Sequence, residues 1–272
     1  MKNIKITIIL MISLFVLAGS CMGCSSRGAV EQGAGYTAQA EGRLESDGVQ
    51  ADGVEHEDGN HEDDASTVDD VLKNDIDSGY LILVNKEHGL DRDYKPDDLA
   101  DVKYYASDRS AEGRYMRAEA ADAFHSLVEE AGVQGMTLAM TTAYRSYDFQ
   151  SALYNGYVAR DGQAAADRYS AKPGKSEHQT GLAVDVSSPA VNYQLTMSFA
   201  DAAEGKWLAE NAHLFGFIIR FPKDKEEITG YQYEPWHLRY VGLASADYIY
   251  KNEITLEEYF QLLEQRPGSP LL

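Results

Sequence analysis

Two separate segments of the chain carry histidine and acidic side chains of the kinds that bind divalent metal ions. The first, residues 176–185, reads Ser-Glu-His-Gln-Thr-Gly-Leu-Ala-Val-Asp and predicts a polar loop that turns at Gly181 and enters a short buried strand. His178 and Asp185 are too far apart for one helical turn, but the glycine turn can bring their side chains together. Imidazole and carboxylate together suit zinc. Taken alone, the segment is equally consistent with a capping histidine and an aspartate that ends a strand.

The second segment is the turn Glu234-Pro235-Trp236-His237. Proline at the second place of a four-residue turn brings the first and fourth residues within about 7 Å, so Glu234 and His237 can face one point. His237 would then be a third protein ligand and would leave one zinc position open for water, as in catalytic rather than structural sites. Glu234 is the natural base for that water. By itself, the same sequence could also be a surface turn with a packed tryptophan.

A third motif, Tyr144-Arg145-Ser146-Tyr147-Asp148-Phe149-Gln150, precedes these two segments. Together with Ser-x-His-x-x-Gly-x-Ala-x-Asp and Glu-x-Trp-His, it resembles the VanY-type zinc D-alanyl-D-alanine carboxypeptidases, relatives of the VanX dipeptidases. The resemblance spans roughly residues 80–245, and three motifs in the family's order make it specific. It implies a catalytic Zn²⁺ ion held by His178, Asp185 and His237.

The remaining motif residues receive roles from their chemistry and from the resemblance. Arg145 is either an ordinary salt-bridge residue or, beside a zinc site, an anion clamp that stabilises a tetrahedral oxyanion. Glu234 is expected to take a proton from the attacking water and return it to the leaving amine. By resemblance, Ser176 hydrogen-bonds the substrate, and Gln150, at a polar position of the arginine motif, is a second substrate-binding residue. Trp236 is expected to pack in the wall of the substrate pocket.

The resemblance implies a peptidoglycan stem peptide ending in D-Ala-D-Ala as the substrate, from which the terminal D-Ala is removed. The motifs Ser-x-x-Lys and Lys-Thr-Gly of penicillin-sensitive serine enzymes are absent from the sequence, so we expect insensitivity to β-lactams and sensitivity to chelators. Three alternatives stay open: an L,D-carboxypeptidase acting on tetrapeptide stems, an endopeptidase that cuts cross-bridges, and a non-catalytic zinc-containing module that binds cell-wall peptides. The acid at Glu234 argues against pure binding, since a binder needs no base there.

The N-terminal part of the chain predicts export. Residues 1–24 contain two early lysines, an apolar run and small residues before Cys21, which is typical of a signal peptide. Leu17-Ala18-Gly19-Ser20-Cys21 also resembles a bacterial lipobox, which makes Cys21 the predicted lipidation site. An ordinary cleaved signal peptide or an uncleaved anchor is the alternative. The protein is therefore expected outside the cytoplasm, anchored to the outer face of a bacterial cell membrane as a lipoprotein.

Residues 25–70 are rich in small and acidic residues and show no apolar periodicity, which predicts a disordered acidic linker. Twelve acids and one arginine in residues 41–70 give a net charge of −11, out of −20 for the 272-residue chain. Such a segment repels itself and extends, which would hold a folded domain away from a membrane. Basic clusters that would neutralise phosphates are missing from the sequence, so we expect no nucleic-acid partner.

Residues 71–272 are predicted to form one α+β domain, a small and mostly antiparallel sheet flanked by helices, with the zinc site at the sheet. The predicted strands are residues 80–85, 136–142, 217–221 and 238–241, together with the short strand that ends at Asp185. The predicted helices are residues 112–131, 147–160, 164–169, 203–213 and a last one through Glu264, which opens with the capping box Thr255-Leu256-Glu257-Glu258.

Overall fold

The computed structural model describes residues 73–106 and 113–265. The predicted signal in residues 1–24, the lipidation site Cys21 and the predicted linker in residues 25–70 lie outside these ranges and stay predictions. Within the described ranges, no helix is long and apolar enough to cross a membrane.

Helices and short strands alternate along the described chain. After a helical turn at residues 73–77, the strands are β1 Leu99–Asp101, β2 Tyr115–Arg117, β3 Ala139–Thr142, β4 Ala183–Ser187, β5 Phe217–Ile219 and β6 His237–Tyr240. The helices are α1 Ala118–Val133, α2 Tyr147–Asp161, α3 Gln163–Tyr169, α4 Ala203–Asn211, α5 Glu226–Thr229, α6 Leu243–Lys251 and α7 Leu256–Glu264. Short 3-10 turns connect several of them.

The strands form two antiparallel sheets. β1 pairs with β2, and the larger sheet has the order β3-β4-β6-β5 with every neighbouring pair antiparallel. The prediction of an α+β domain built on a small antiparallel sheet is confirmed. Because β4 and β6 are far apart in the chain and central in the sheet, their pairing brings the two zinc-motif segments together.

The two faces of the larger sheet differ because side chains alternate along a strand. Val184 of β4 and Leu238 of β6 face the hydrophobic core, where they are fully buried together with Phe124 of α1. Asp185 and His237, each next to a core residue in sequence, project from the opposite face. The apolar face therefore anchors the strands that present polar side chains to the site.

Residues 80–85 do not form the predicted strand. Leu81 and Val84 are buried, as the apolar pattern indicated. However, the carbonyl oxygens of Tyr80 and Ile82 both accept hydrogen bonds from Arg239 Nη2 at 2.8 Å. A buried guanidinium thus occupies backbone acceptors that a neighbouring strand would need, and the segment joins neither of the two sheets described here.

Helix α1 begins at Ala118 rather than at residue 112. The residues just before it form β2, because their backbone groups pair with β1. Met116 is fully buried from this strand position, although its spacing also fits the apolar stripe of the helix. The helix also continues past the predicted stop at Gly132, and the left-handed turn residue is Gly135, with a φ of 80°.

The other predicted elements agree with the observed ones to within about three residues at each end. The predicted capping box of α7 is confirmed, since the Thr255 hydroxyl accepts a hydrogen bond from Glu258 N at 3.2 Å. In return, the Glu258 carboxylate accepts one from Thr255 N at 2.8 Å. Local capping chemistry therefore fixes this helix start, as the sequence indicated.

Candidate active site

The side chains of His178, Asp185 and His237 meet in one buried cluster. Each offers a potential ligand atom, and these atoms all lie within 4.8 Å of one another. All three residues are at most 5% exposed. The structure thus brings together the three residues that the sequence predicted as metal ligands.

Strand pairing and a glycine turn position these three side chains. Asp185 lies directly opposite His237 in the β4–β6 register, and its Oδ1 is 2.8 Å from His237 Nδ1. His178 arrives from the 3-10 turn Glu177–Thr180, which ends at Gly181 in the left-handed conformation, with a φ of 70°. Glycine adopts this conformation without steric cost, so the predicted turn at this position is confirmed.

The ring nitrogens of the two histidines are oriented differently. His178 Nδ1 lies 2.5 Å from the carbonyl oxygen of Ala143 and donates to it, which turns Nε2 towards Asp185 Oδ2 at 3.4 Å. His237 instead turns Nδ1 towards Asp185, and its Nε2 lies 3.4 Å from Glu177 Oε2. Two imidazole nitrogens and one carboxylate form a donor set that fits a divalent transition metal such as zinc.

Burial and mutual contact set the protonation of the cluster. Burial and the nearby Arg145 guanidinium lower the pKa of His178 to about 4, so this imidazole is neutral at pH 7. Burial alone would raise the pKa of Asp185, but the two histidines hold it below its usual range. Burial opposes the charged form of His237, yet hydrogen bonds to Asp185 and Glu177 raise its pKa to about 9. Cation binding here therefore displaces a proton from His237.

Glu234 lies next to the cluster. The turn that carries it is closed by a hydrogen bond from His237 N to Glu234 O at 3.2 Å. Its Oε2 lies 4.0 Å from His237 Nδ1, which places the carboxyl beside the potential ligands. Burial and the nearby Asp185 carboxylate raise the pKa of Glu234 to about 7. A carboxyl with this pKa can both accept and donate a proton near neutral pH.

Arg145 reaches the same point from the exit of β3. Its Nη1 lies 3.7 Å from Asp185 Oδ2, and its Nε donates to Gln150 Oε1 at 3.0 Å. Gln150 is buried and donates through Nε2 to the carbonyl oxygen of Ala171 at 2.7 Å. Gln150 thus orients the guanidinium, and it also lines the cleft that opens onto the cluster, so its predicted contact with substrate stays a prediction.

A cleft of about 500 Å³ opens onto the cluster. Ser176 and Trp236 line it, in agreement with the positions expected for them. Trp236 also belongs to the hydrophobic core, so its ring joins the wall of the cleft to the body of the domain. Aromatic and aliphatic side chains that the sequence reasoning missed complete the walls: Phe149, Leu153, Tyr157, Tyr169, Leu195, Phe221 and Tyr231.

Phe221 and Glu177, which the sequence reasoning also missed, both contact His237. The Phe221 ring stacks on the His237 ring with their centroids 5.0 Å apart. Glu177 is 3% exposed and contacts His237 from the side away from Asp185. The sequence did contain a signal for Glu177. It is an acid directly before His178 in a segment that was expected to enter a buried strand, and a buried acid needs a charged partner.

Comparison with known proteins places this site in a class. Residues 113–243 match a family model described as VanY, D-alanyl-D-alanine carboxypeptidase. The putative carboxypeptidase YodJ of Bacillus subtilis is 46% identical over 187 residues, which are 68% of this chain and 68% of YodJ. The fold and these matches define a hydrolase of the carboxypeptidase class.

Solved structures give the same picture. The LdcB LD-carboxypeptidase superposes with a TM-score of 0.64 at 46% identity, covering 67% of this chain and 86% of LdcB. A vancomycin-resistance D,D-pentapeptidase VanY in complex with Zn(II) superposes with a TM-score of 0.54 at 34% identity, covering 66% of this chain and 98% of that one. The chain belongs to the VanY D-alanyl-D-alanine carboxypeptidase family.

Proposed function

We propose that this protein is a zinc-dependent D,D-carboxypeptidase that removes the C-terminal D-Ala from peptidoglycan stem peptides. The observation that carries the proposal is the convergence of two imidazoles and a carboxylate with Glu234 and Arg145 in the wall of one cleft. A metal site, a base and an oxyanion donor are together sufficient for hydrolysis of a peptide bond.

The proposed metal ligands are His178 through Nε2, Asp185, and His237 through Nδ1. Three protein ligands leave a coordination position for water or substrate, as catalytic zinc sites require. The Zn(II) complex of a similar VanY structure supports the choice of zinc. Zinc at such a site supplies Lewis-acid activation of a water molecule and of a carbonyl group.

The proposed chemistry uses Glu234 and Arg145 in sequence. Glu234 accepts a proton from the water that attacks the scissile carbonyl carbon, and it later returns the proton to the nitrogen of the departing D-Ala. The guanidinium of Arg145, oriented by Gln150, donates hydrogen bonds to the oxyanion of the tetrahedral intermediate. One such donor lowers the barrier by the order of 3 kcal/mol. Ser176, which lines the cleft, is proposed to hydrogen-bond the substrate.

A second candidate is an L,D-carboxypeptidase that trims tetrapeptide stems. It is favoured by the similarity to the LdcB LD-carboxypeptidase, whose TM-score exceeds that of the VanY structure. Both candidates use the same metal, base and oxyanion donor. They differ in how the cleft accommodates the residue before the scissile bond.

A panel of two stem peptides tests both candidates. Purified protein loaded with zinc is incubated with a pentapeptide ending in D-Ala-D-Ala and with a tetrapeptide ending in a single D-Ala, and free D-Ala is measured. We expect release from the pentapeptide, lost on chelation, restored by zinc and unchanged by a β-lactam. Release from the tetrapeptide alone would replace the D,D assignment by the L,D one. Peptide binding without release from either would favour a non-catalytic binding module.

A further inference from the structure

Four buried charged side chains form a network next to the cluster of His178, Asp185 and His237. Glu177 Oε1 accepts hydrogen bonds from Arg220 Nε at 2.8 Å and from Arg239 Nη1 at 2.6 Å. Arg220 also donates to the carboxylate of Glu257 through both terminal nitrogens, at 2.9 and 2.6 Å. Two arginines and two glutamates balance in charge, and the arginines are fully buried.

Such a network is a weak source of stability. Removing charges from water costs several kcal/mol per ion, and well-packed apolar residues of similar volume often stabilise a protein as much or more. A buried ionic network is therefore best explained by what it holds in place. Among the described side-chain contacts, the network reaches the His178/Asp185/His237 cluster through the second oxygen of Glu177, Oε2, which lies 3.4 Å from His237 Nε2.

The sheet fixes this contact. Arg239 lies two residues after His237 on β6, so both side chains project from the same face. Arg220 directly follows β5 and donates its backbone N–H to His237 O at 3.1 Å, which places it beside His237 at the end of the neighbouring strand. Both guanidinium groups therefore approach Glu177 from positions set by the same backbone that carries His237.

The other two nitrogens of the Arg239 guanidinium are also engaged. Its Nη2 donates to the carbonyl oxygens of Tyr80 and Ile82, and its Nε donates to Tyr240 O at 3.1 Å. With every nitrogen of the guanidinium bound, Arg239 cannot swing away from Glu177 without breaking several buried hydrogen bonds.

We infer that Glu177 is a positioning residue for the metal site: clamped by Arg220 and Arg239, it accepts a hydrogen bond from His237 Nε2–H and so presents Nδ1 to the metal. This inference rests on the proposed function, because it takes His237 to be a zinc ligand. A carboxylate behind a ligating histidine fixes the tautomer and ring orientation, and loss of such a partner typically lowers metal affinity about 10–100-fold.

The matched pair Glu177→Gln and Glu257→Gln tests the inference. Both variants neutralise one carboxylate that binds Arg220, but only Glu177 contacts His237. We expect Glu177→Gln to weaken zinc binding about 10–100-fold and to change the visible absorption bands of the cobalt-substituted protein. Glu257→Gln is expected to lower the melting temperature but to keep the zinc affinity within about threefold of the wild-type value. This change is small beside the loss of about 10–100-fold that typically follows removal of the partner of a ligating histidine. Wild-type zinc affinity and cobalt spectrum in Glu177→Gln, or an equal loss in both variants, would overturn the inference.

A measurement on the wild-type protein covers the case in which Glu177→Gln does not fold. Nitrogen-15 NMR of the zinc-loaded protein reports which ring nitrogen of each histidine carries a proton. We expect His237 to be protonated on Nε2 and His178 on Nδ1, the latter serving as an internal reference because it donates to Ala143 O. Protonation of His237 on Nδ1 would refute the role of Glu177. A wild type that binds no zinc would instead refute the proposed function together with this inference.

Discussion

Glu234 is a buried carboxyl group beside His178, Asp185 and His237, and it also interacts electrostatically with the Arg145 guanidinium. It is 9% exposed, and its described ion-pair contact is with His237. Burial of a carboxyl group costs free energy, and desolvated titratable groups that line a cleft are frequent at functional sites, which favours a chemical role over a structural one.

We expect Glu234→Gln to retain zinc and to lose about 10²–10⁴-fold in kcat, the usual contribution of a general base. The amide preserves the shape of the side chain but cannot take up a proton. The measurement is D-Ala release from the preferred stem peptide together with zinc content by elemental analysis. Glu226→Gln, an exposed acid on α5, is the control and should retain full activity. Unimpaired turnover in Glu234→Gln would remove this residue as the base.

For individual residues, the sequence predicted the metal ligands and the base but not the side chains that pack around them. His178, Asp185, His237 and Glu234 were recognisable because metal ligands and bases need particular residue types at particular spacings. Residues that act by packing, such as Tyr231, gave no such signal. Their identity as aromatic side chains fits any hydrophobic core, and only the folded chain shows that they face the cleft.

At the level of elements, the turn that carries His178 depends on Gly181. A Cβ at this position would lie 3.0 Å from Leu99 Cδ2 and 3.2 Å from Arg117 Cγ, on a backbone with a φ of 70°. The glycine N–H also donates to His178 O at 3.2 Å, so the turn and the ligand share one hydrogen-bonded loop. Strain at Gly181 would therefore be transmitted to His178.

We expect Gly181→Ala to lower the free energy of unfolding by at least about 1–2 kcal/mol, the cost of the left-handed conformation for a residue with a Cβ. The control is Gly132→Ala, because a Cβ at Gly132, in the last turn of α1, meets no atom within 4 Å. It should leave stability unchanged or raise it by up to about 0.5–1 kcal/mol through helix propensity. Urea denaturation of both variants measures the effects. A Gly181→Ala variant as stable as the wild type would show that the turn tolerates a side chain.

The elements predicted correctly were those with strong local signals, such as the capping box of α7 and the apolar stripe of α1. The errors came from tertiary contacts. Residues 80–85 have the composition of a strand, but the guanidinium of Arg239, distant in sequence, takes their carbonyl oxygens. Strand β2 was read as part of a helix because its pairing with β1 leaves no local pattern.

For the whole molecule, we propose that the enzyme works outside the cytoplasm, tethered to a membrane by a lipid on Cys21 and spaced from it by the acidic residues 25–70. The support is the sequence alone: a short apolar run, small residues before Cys21, and a net charge of −11 in residues 41–70. A tether of this kind would bring the cleft to peptidoglycan stem peptides, which lie beyond the membrane surface.

Membrane fractionation tests this proposal. The wild-type protein should sediment with membranes, require detergent for release and incorporate labelled fatty acid. Cys21→Ser should lose the fatty acid label, whereas Cys24→Ser, three residues away, should behave as the wild type. A wild-type protein recovered entirely in the soluble fraction would contradict the lipid anchor.

The register of β4 and β6 has a consequence for how the enzyme matures. Asp185 and His237 are 52 residues apart in the chain and meet only because they are directly opposed in the sheet. A slip of one residue would turn one of them into the apolar core. A chain with misaligned strands would lack one of the three ligands and would not bind the metal. Metal binding would therefore select the chains in which β4 and β6 are paired in the correct register.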